Sequence, residues 1–100
     1  MSVQIAIPEQ VLAEFCRRYH IGRLSLFGSV LRDDFRADSD VDVLIEFEPG
    51  KTVDFFTFSD MQDELSTILG YEVDLNTPNF LSRYFRDQVI QQARVLYEPN

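Results

Sequence analysis

The chain has 100 residues, 45% hydrophobic and 13% aromatic, a size and composition that suit one small core, so any binding site is expected to be completed by a partner. Seventeen acidic against nine basic side chains give a net charge of -8, a sign that repels a phosphate backbone and argues against sequence-nonspecific DNA binding. A lone cysteine excludes an internal disulfide, no apolar run approaches the ~18 residues of a membrane span, and the start MSVQIAIPEQ lacks the regions of a signal peptide, so a soluble cytoplasmic protein is expected.

Cys16 reads as a small buried apolar residue, and the single histidine, His20, is not expected to ligate a metal. From Pro8, a favourable first helical residue, Val11, Leu12, Phe15 and Tyr19 fall at helical spacing and predict a first helix that stops near Gly22. Leu24 and Leu26, alternating with Ser25, predict a short strand running into Phe27-Gly28-Ser29 and a brief helical turn through Val30 and Leu31. Asp33 to Ser39 read as a polar loop. Val41 to Phe47 is the clearest strand: period two puts Val41, Val43, Ile45 and Phe47 on a core face and Asp40, Asp42, Leu44 and Glu46 on the other.

After a turn at Glu48 to Lys51, Phe55, Phe58, Met61, Leu65 and Ile68 recur every three or four residues up to Gly70, an amphipathic helix with a glycine stop. Phe56 lies off that stripe and is read as packing at the edge of the core rather than joining a partner-facing patch. Tyr71, Val73 and Leu75 alternate with Glu72 and Asp74 as a third strand. Thr77-Pro78 then opens a last helix with the stripe Leu81, Phe85, Val89, Ala93 and Leu96. The order predicts an α/β (α+β) chain, one layer of small mixed sheet covered by helices, as a single domain over residues 1–100.

Two features of this order point to chemistry. Gly28-Ser29 sits at a strand-to-helix turn, where glycine lets backbone approach a ligand, the opening N–H groups suit phosphate oxygens, and Ser29 adds a hydroxyl; an ordinary helix cap is the plain alternative. Asp40 and Asp42 share one side of a strand about 7 Å apart along the backbone. There their repulsion is unfavourable unless a cation compensates, whereas a solvated acidic loop would need no such pattern. Hard magnesium ions take one or two carboxylates plus phosphates and water, and two ions roughly 3.5–4 Å apart can serve the attacking and leaving oxygens. Asp74 holds an equivalent polar position on the third strand and joins the pair if the two strands are neighbours. The glycine and closing glutamate of a calcium loop are absent.

The string FGSVLRDDFRADSDVDVLIEF resembles the nucleotidyltransferase superfamily that includes DNA polymerase beta, with its G-S, about ten residues, D-x-D and a later aspartate. In length and element order the chain is similar to the minimal nucleotidyltransferases, commonly encoded beside HEPN-domain ribonuclease toxins, for which they act as antitoxins by adenylylating a tyrosine near the toxin's active site. The resemblance implies ATP as co-substrate, two magnesium ions on Asp40, Asp42 and Asp74, and triphosphate oxygens on Gly28 and Ser29. It also implies that Asp74 helps to deprotonate the acceptor hydroxyl. Arg32 and Arg36 match basic positions that touch phosphates, or they pair with Asp33, Asp34 or Asp38. The chain departs from the common pattern at Asp33, where glycine is frequent, and at Leu31, where a small residue is frequent; acceptor choice is the property these changes affect.

The partner implied is a HEPN toxin in a homo- or hetero-oligomer, with no direct nucleic-acid contact and no membrane. Two other readings stay open at this point. One is an antitoxin that acts by binding alone; the other is a transferase acting on a small molecule or an RNA end.

Overall fold

The computed structural model describes residues 5–32 and 35–98. Helix α1 spans Glu9–Arg18, strand β1 Ile21–Phe27, and a 3-10 turn Gly28–Leu31 leads through the 35–40 loop to β2, Val41–Phe47. Helix α2 spans Phe55–Leu69 and β3 Val73–Asn76. A second 3-10 turn at Pro78–Phe80 precedes the short helix α3, Arg86–Gln92, and strand β4, Arg94–Tyr97. The pairings Arg32 or Arg36 with Asp33 or Asp34, and the departure at Asp33, lie outside the described residues.

The sheet order is β3-β2-β1-β4, with β1 antiparallel to both β2 and β4 and β2 parallel to β3. It is therefore mixed, as expected. The parallel pair needs a crossover, which α2 supplies. Asp54 caps that helix by accepting from the Thr57 N–H at 2.7 Å, and Gly70, at φ +79 where glycine alone is unstrained, ends it. Leu12, Phe15 and Cys16 of α1 and Met61, Leu65 and Leu69 of α2 cover the sheet face that carries Leu24, Leu26, Val41, Val43, Ile45, Val73 and Leu75. Burial pushes the Cys16 thiol up to about 12, which makes it an inert core residue.

Several expectations need correction. The first helix ends at Arg18, and the chain reverses at His20, in the left-handed region at φ 58, rather than at Gly22, which lies inside a longer β1. Val11, placed on the apolar stripe, is 49% exposed. Leu44, placed on the polar face, is buried opposite Ser25, so that face is not simply solvent. The third strand begins at Val73, not Tyr71. Phe55, expected in the core, and Phe56, expected at its edge, are 79% and 81% exposed.

The largest difference is at the carboxyl end. A continuous last helix through Leu96 is replaced by a 3-10 turn, the seven residues of α3 and β4. Leu24 and Leu26 make β1 a core strand, and its outer backbone groups need partners that a helix could not give. Arg94–Tyr97 supplies them, so pairing overrides the helical spacing. Among the described residues no helix is long and apolar enough to cross a membrane.

Candidate active site

The carboxylates and the Gly-Ser turn meet at one end of the sheet because of strand register. Asp42 pairs across the antiparallel ladder with Phe27, the last residue of β1, and across the parallel ladder with Asp74. Partners in register share a face, so Asp42 and Asp74 stand side by side on the face opposite the core, with the Gly28 turn next to them.

Gly28 has two reasons to be glycine. Its φ of +76 lies in the left-handed region, and a Cβ there would run into Asp42 Oδ2 and come within 3.2 Å of Asp42 Cγ. Backbone therefore approaches the Asp42 carboxylate as closely as it can. Ser29 Oγ donates to the Asp40 carbonyl at 3.4 Å, a long bond that ties the turn to the start of β2. Phe35 packs on Tyr71 with ring centroids 5.4 Å apart, which fixes the loop that delivers Asp40.

The electrostatics report the same convergence. Burial first, then the neighbouring charges of Asp74 and Asp40, push the Asp42 carboxyl above its ordinary value, and Arg32 opposes them. Arg36 lies exposed, its backbone N–H bonded to Ser39 Oγ at 3.0 Å. The structure thus brings Gly28, Ser29, Arg32, Asp40, Asp42 and Asp74 together, with Arg36 exposed on the loop that leads into β2.

Among the described residues no three acidic, histidine or cysteine groups form a ready-made metal shell. The repulsion at Asp42 is the more informative observation, because it comes from carboxylates close enough to perturb one another. Such a grouping fits magnesium, which commonly completes its shell with substrate phosphates and water. A cleft of about 670 Å³ opens elsewhere, between Lys51–Phe55 and Thr77–Asn79 beyond the carboxyl ends of β2 and β3, and none of the six residues lines it. Concavity is a poor guide here, since a triphosphate held by ions and backbone needs little enclosure.

Two residues that sequence reasoning passed over hold Asp74. The N–H groups of Val73 and Leu75, which flank it on the edge strand, are accepted by Ser66 Oγ and Gln62 Oε1 of α2, each at 3.0 Å. Their spacing of four on one helix was the available signal, but it gains meaning only once α2 is known to lie along β3.

A glycine turn pressed against clustered carboxylates at one end of the sheet defines a domain suited to metal-assisted transfer of a phosphate-linked group. Residues 8–97 match the nucleotidyltransferase domain family. The protein adenylyltransferase MntA of Thermococcus cleftensis is 34% identical over 80 residues, 80% of this chain and 79% of that protein. A provisionally named protein adenylyltransferase of Methanocaldococcus jannaschii is 33% identical over 76 residues, 76% and 80% of the two chains.

Among solved structures, one described provisionally as a minimal nucleotidyltransferase is 33% identical with a TM-score of 0.69, covering 85% of each chain. A toxin-antitoxin structure with AMP-PNP reaches 0.74 at 22% identity, covering 94% and 76%. A tri-AMPylated Shewanella oneidensis HEPN toxin in complex with its MNT antitoxin reaches 0.60 at 24%, covering 91% and 70%. The last two establish the fold only. This chain belongs to the nucleotidyltransferase family.

Proposed function

We propose that this nucleotidyltransferase is an antitoxin that transfers AMP from ATP to a tyrosine hydroxyl of a HEPN-type toxin. The observation that carries the chemistry is the register Asp42 opposite Asp74, with Asp40 in the same field and Gly28 against Asp42. Support for a protein acceptor comes from the adenylyltransferase relatives, and support for a HEPN toxin comes from the complexes that share the fold.

Gly28 and Ser29 hold triphosphate oxygens on backbone and hydroxyl donors, with Arg32 offsetting their charge and Arg36 reaching in from its loop when substrate is present. Asp40 and Asp42 would hold two magnesium ions, and Asp74 one of them. Bound magnesium supplies charge neutralisation on the phosphates and a more acidic acceptor hydroxyl. Asp74 then takes the phenolic proton as the tyrosine oxygen bonds to the α-phosphorus. The bond from that phosphorus to the β-phosphate oxygen breaks, and pyrophosphate leaves. Asp40 and Asp42 fix the line of attack, which accounts for much of the catalysis in reactions of this type.

The test is the intact mass of a HEPN-domain protein from the same organism after incubation with this chain, ATP and magnesium. Mass gains in adenylyl steps that vanish with Asp40→Asn/Asp42→Asn support the reading. Tight complex formation with no gain sinks it in favour of inhibition by occlusion.

A further inference from the structure

We infer that the segment from Leu81 to Tyr97 is the docking surface for the protein acceptor, and that this acceptor presents an acidic, partly apolar patch beside its modified hydroxyl. The inference rests on the transferase reading above. It starts from α3, seven residues long with no buried side chain, although a free helix of that length is marginal in water. Tyr84 is 79% exposed, Phe85 60% and Ile90 37%, a run of large apolar groups that a chain normally covers. Arg83 stacks on the Tyr84 ring at 5.2 Å from its centroid, so the aromatic surface carries a cation.

The segment carries a net positive charge in an acidic molecule. Arg83, Arg86 and Arg94 against Asp87 give it +2 in a chain of -8, which leaves -10 on the remainder. An acidic partner is attracted here, and the other basic run, Arg17 to Arg32, is partly neutralised by the pairs Arg18–Glu64, Arg23–Glu46 and Arg23–Glu98, so charge favours encounter at this segment.

Topology decides between this patch and the other exposed aromatics. β4 is antiparallel to β1 and starts at Arg94, opposite Leu26, so α3 delivers the chain to the end of the sheet where β1 runs into Gly28. A small groove of about 260 Å³ between Leu31 and Gln92–Arg94 joins the two segments. Phe55 and Phe56 open α2, which follows the carboxyl end of β2, and so belong to the end remote from Asp42. From Phe85 to Arg94 is roughly 12–15 Å at the helical rise, within one ordinary interface of about 800 Å² per partner. An acceptor seated on α3 can therefore reach the reacting phosphate, and a second copy in that place would block it.

Isothermal titration, without nucleotide, of a HEPN-domain protein from the same organism against this chain tests the assignment, with AMP-PNP titrations and thermal melts as controls. Tyr84→Ser/Phe85→Ser is expected to weaken binding about 30-fold or more while leaving AMP-PNP affinity within about twofold. Ile90→Asp serves as an independent second variant. Arg83→Glu is expected to weaken binding and flatten its salt dependence. Unchanged binding by the folded variants overturns the assignment, even if adenylyl transfer proceeds and the transferase reading stands. A wild-type dimer in light scattering that the double variant converts to monomer overturns it in favour of a second copy. Binding that depends on Tyr84 and Phe85 with no transfer upholds the surface and sinks the transferase reading, and no wild-type binding at all overturns the docking assignment while the mass assay alone decides the transferase reading.

Discussion

Gly28→Ala separates the close approach at the turn from general stability. The new Cβ would overlap Asp42 Oδ2, and an ordinary contact needs about 3.5 Å, so the carboxylate has to withdraw by roughly 1 Å. Metal distances tolerate about 0.2 Å, and a 1 Å misplacement of a reacting group costs on the order of 100-fold in rate. The backbone contributes separately: a non-glycine residue at φ +76 costs about 1–2 kcal/mol. In a domain of this size that is a fall in Tm of roughly 4–16 °C. The assay pairs a melt with single-turnover adenylyl transfer at a temperature where both proteins are folded. A lower Tm and transfer reduced about 100-fold are expected. Loss of Tm with full transfer would refute the argument that Gly28 makes room for Asp42, because the carboxylate would then tolerate displacement.

Other outcomes follow from the same geometry. Because Asp40 and Asp74 repel Asp42, magnesium is expected to raise the Tm of the wild-type chain and EDTA to reverse it. Asp42→Asn should melt higher than wild type in EDTA and lose most of the magnesium response; an undiminished response would show that the ion binds elsewhere. Gln62→Leu strands the Leu75 N–H at a cost of about 1–3 kcal/mol and loosens the edge strand that carries Asp74. It should lower both Tm and transfer, whereas Gln62→Glu keeps an acceptor and should be milder, and equal behaviour of the two in melts would remove the hydrogen bond from the account. The backbone N–H of Thr57 holds the Asp54 carboxyl below its ordinary 3.8. That contribution is fully present above about pH 3.8 and is lost as pH falls through the depressed folded value. Asp54→Asn should therefore flatten the acid limb of the Tm profile, and an unchanged limb would rule out this cap as its source.

Local spacing in the sequence determined what needs only a few neighbouring residues. The alternation from Val41 to Phe47 made a strand whose polar side opens with Asp40 and Asp42, and the recurrence from Phe58 to Gly70 made a helix with its stop. The pairing of Gly28-Ser29 with D-x-D was equally visible, because each half is a short string.

Tertiary structure decided which strings meet. Nothing local tells β2 that β3 is its neighbour, and a slip of one residue in that parallel ladder would turn Asp74 to the core. The spacing from Leu81 to Leu96 suits a helix in isolation. The free edge of β1 nevertheless claimed Arg94–Tyr97, because unmet backbone groups on a core strand cost more than a few residues of helical preference return. Exposure of Phe55, Phe56, Tyr84 and Phe85 was hidden for the same reason: a stripe says which residues can be buried together, and only the packed chain says whether anything lies over them.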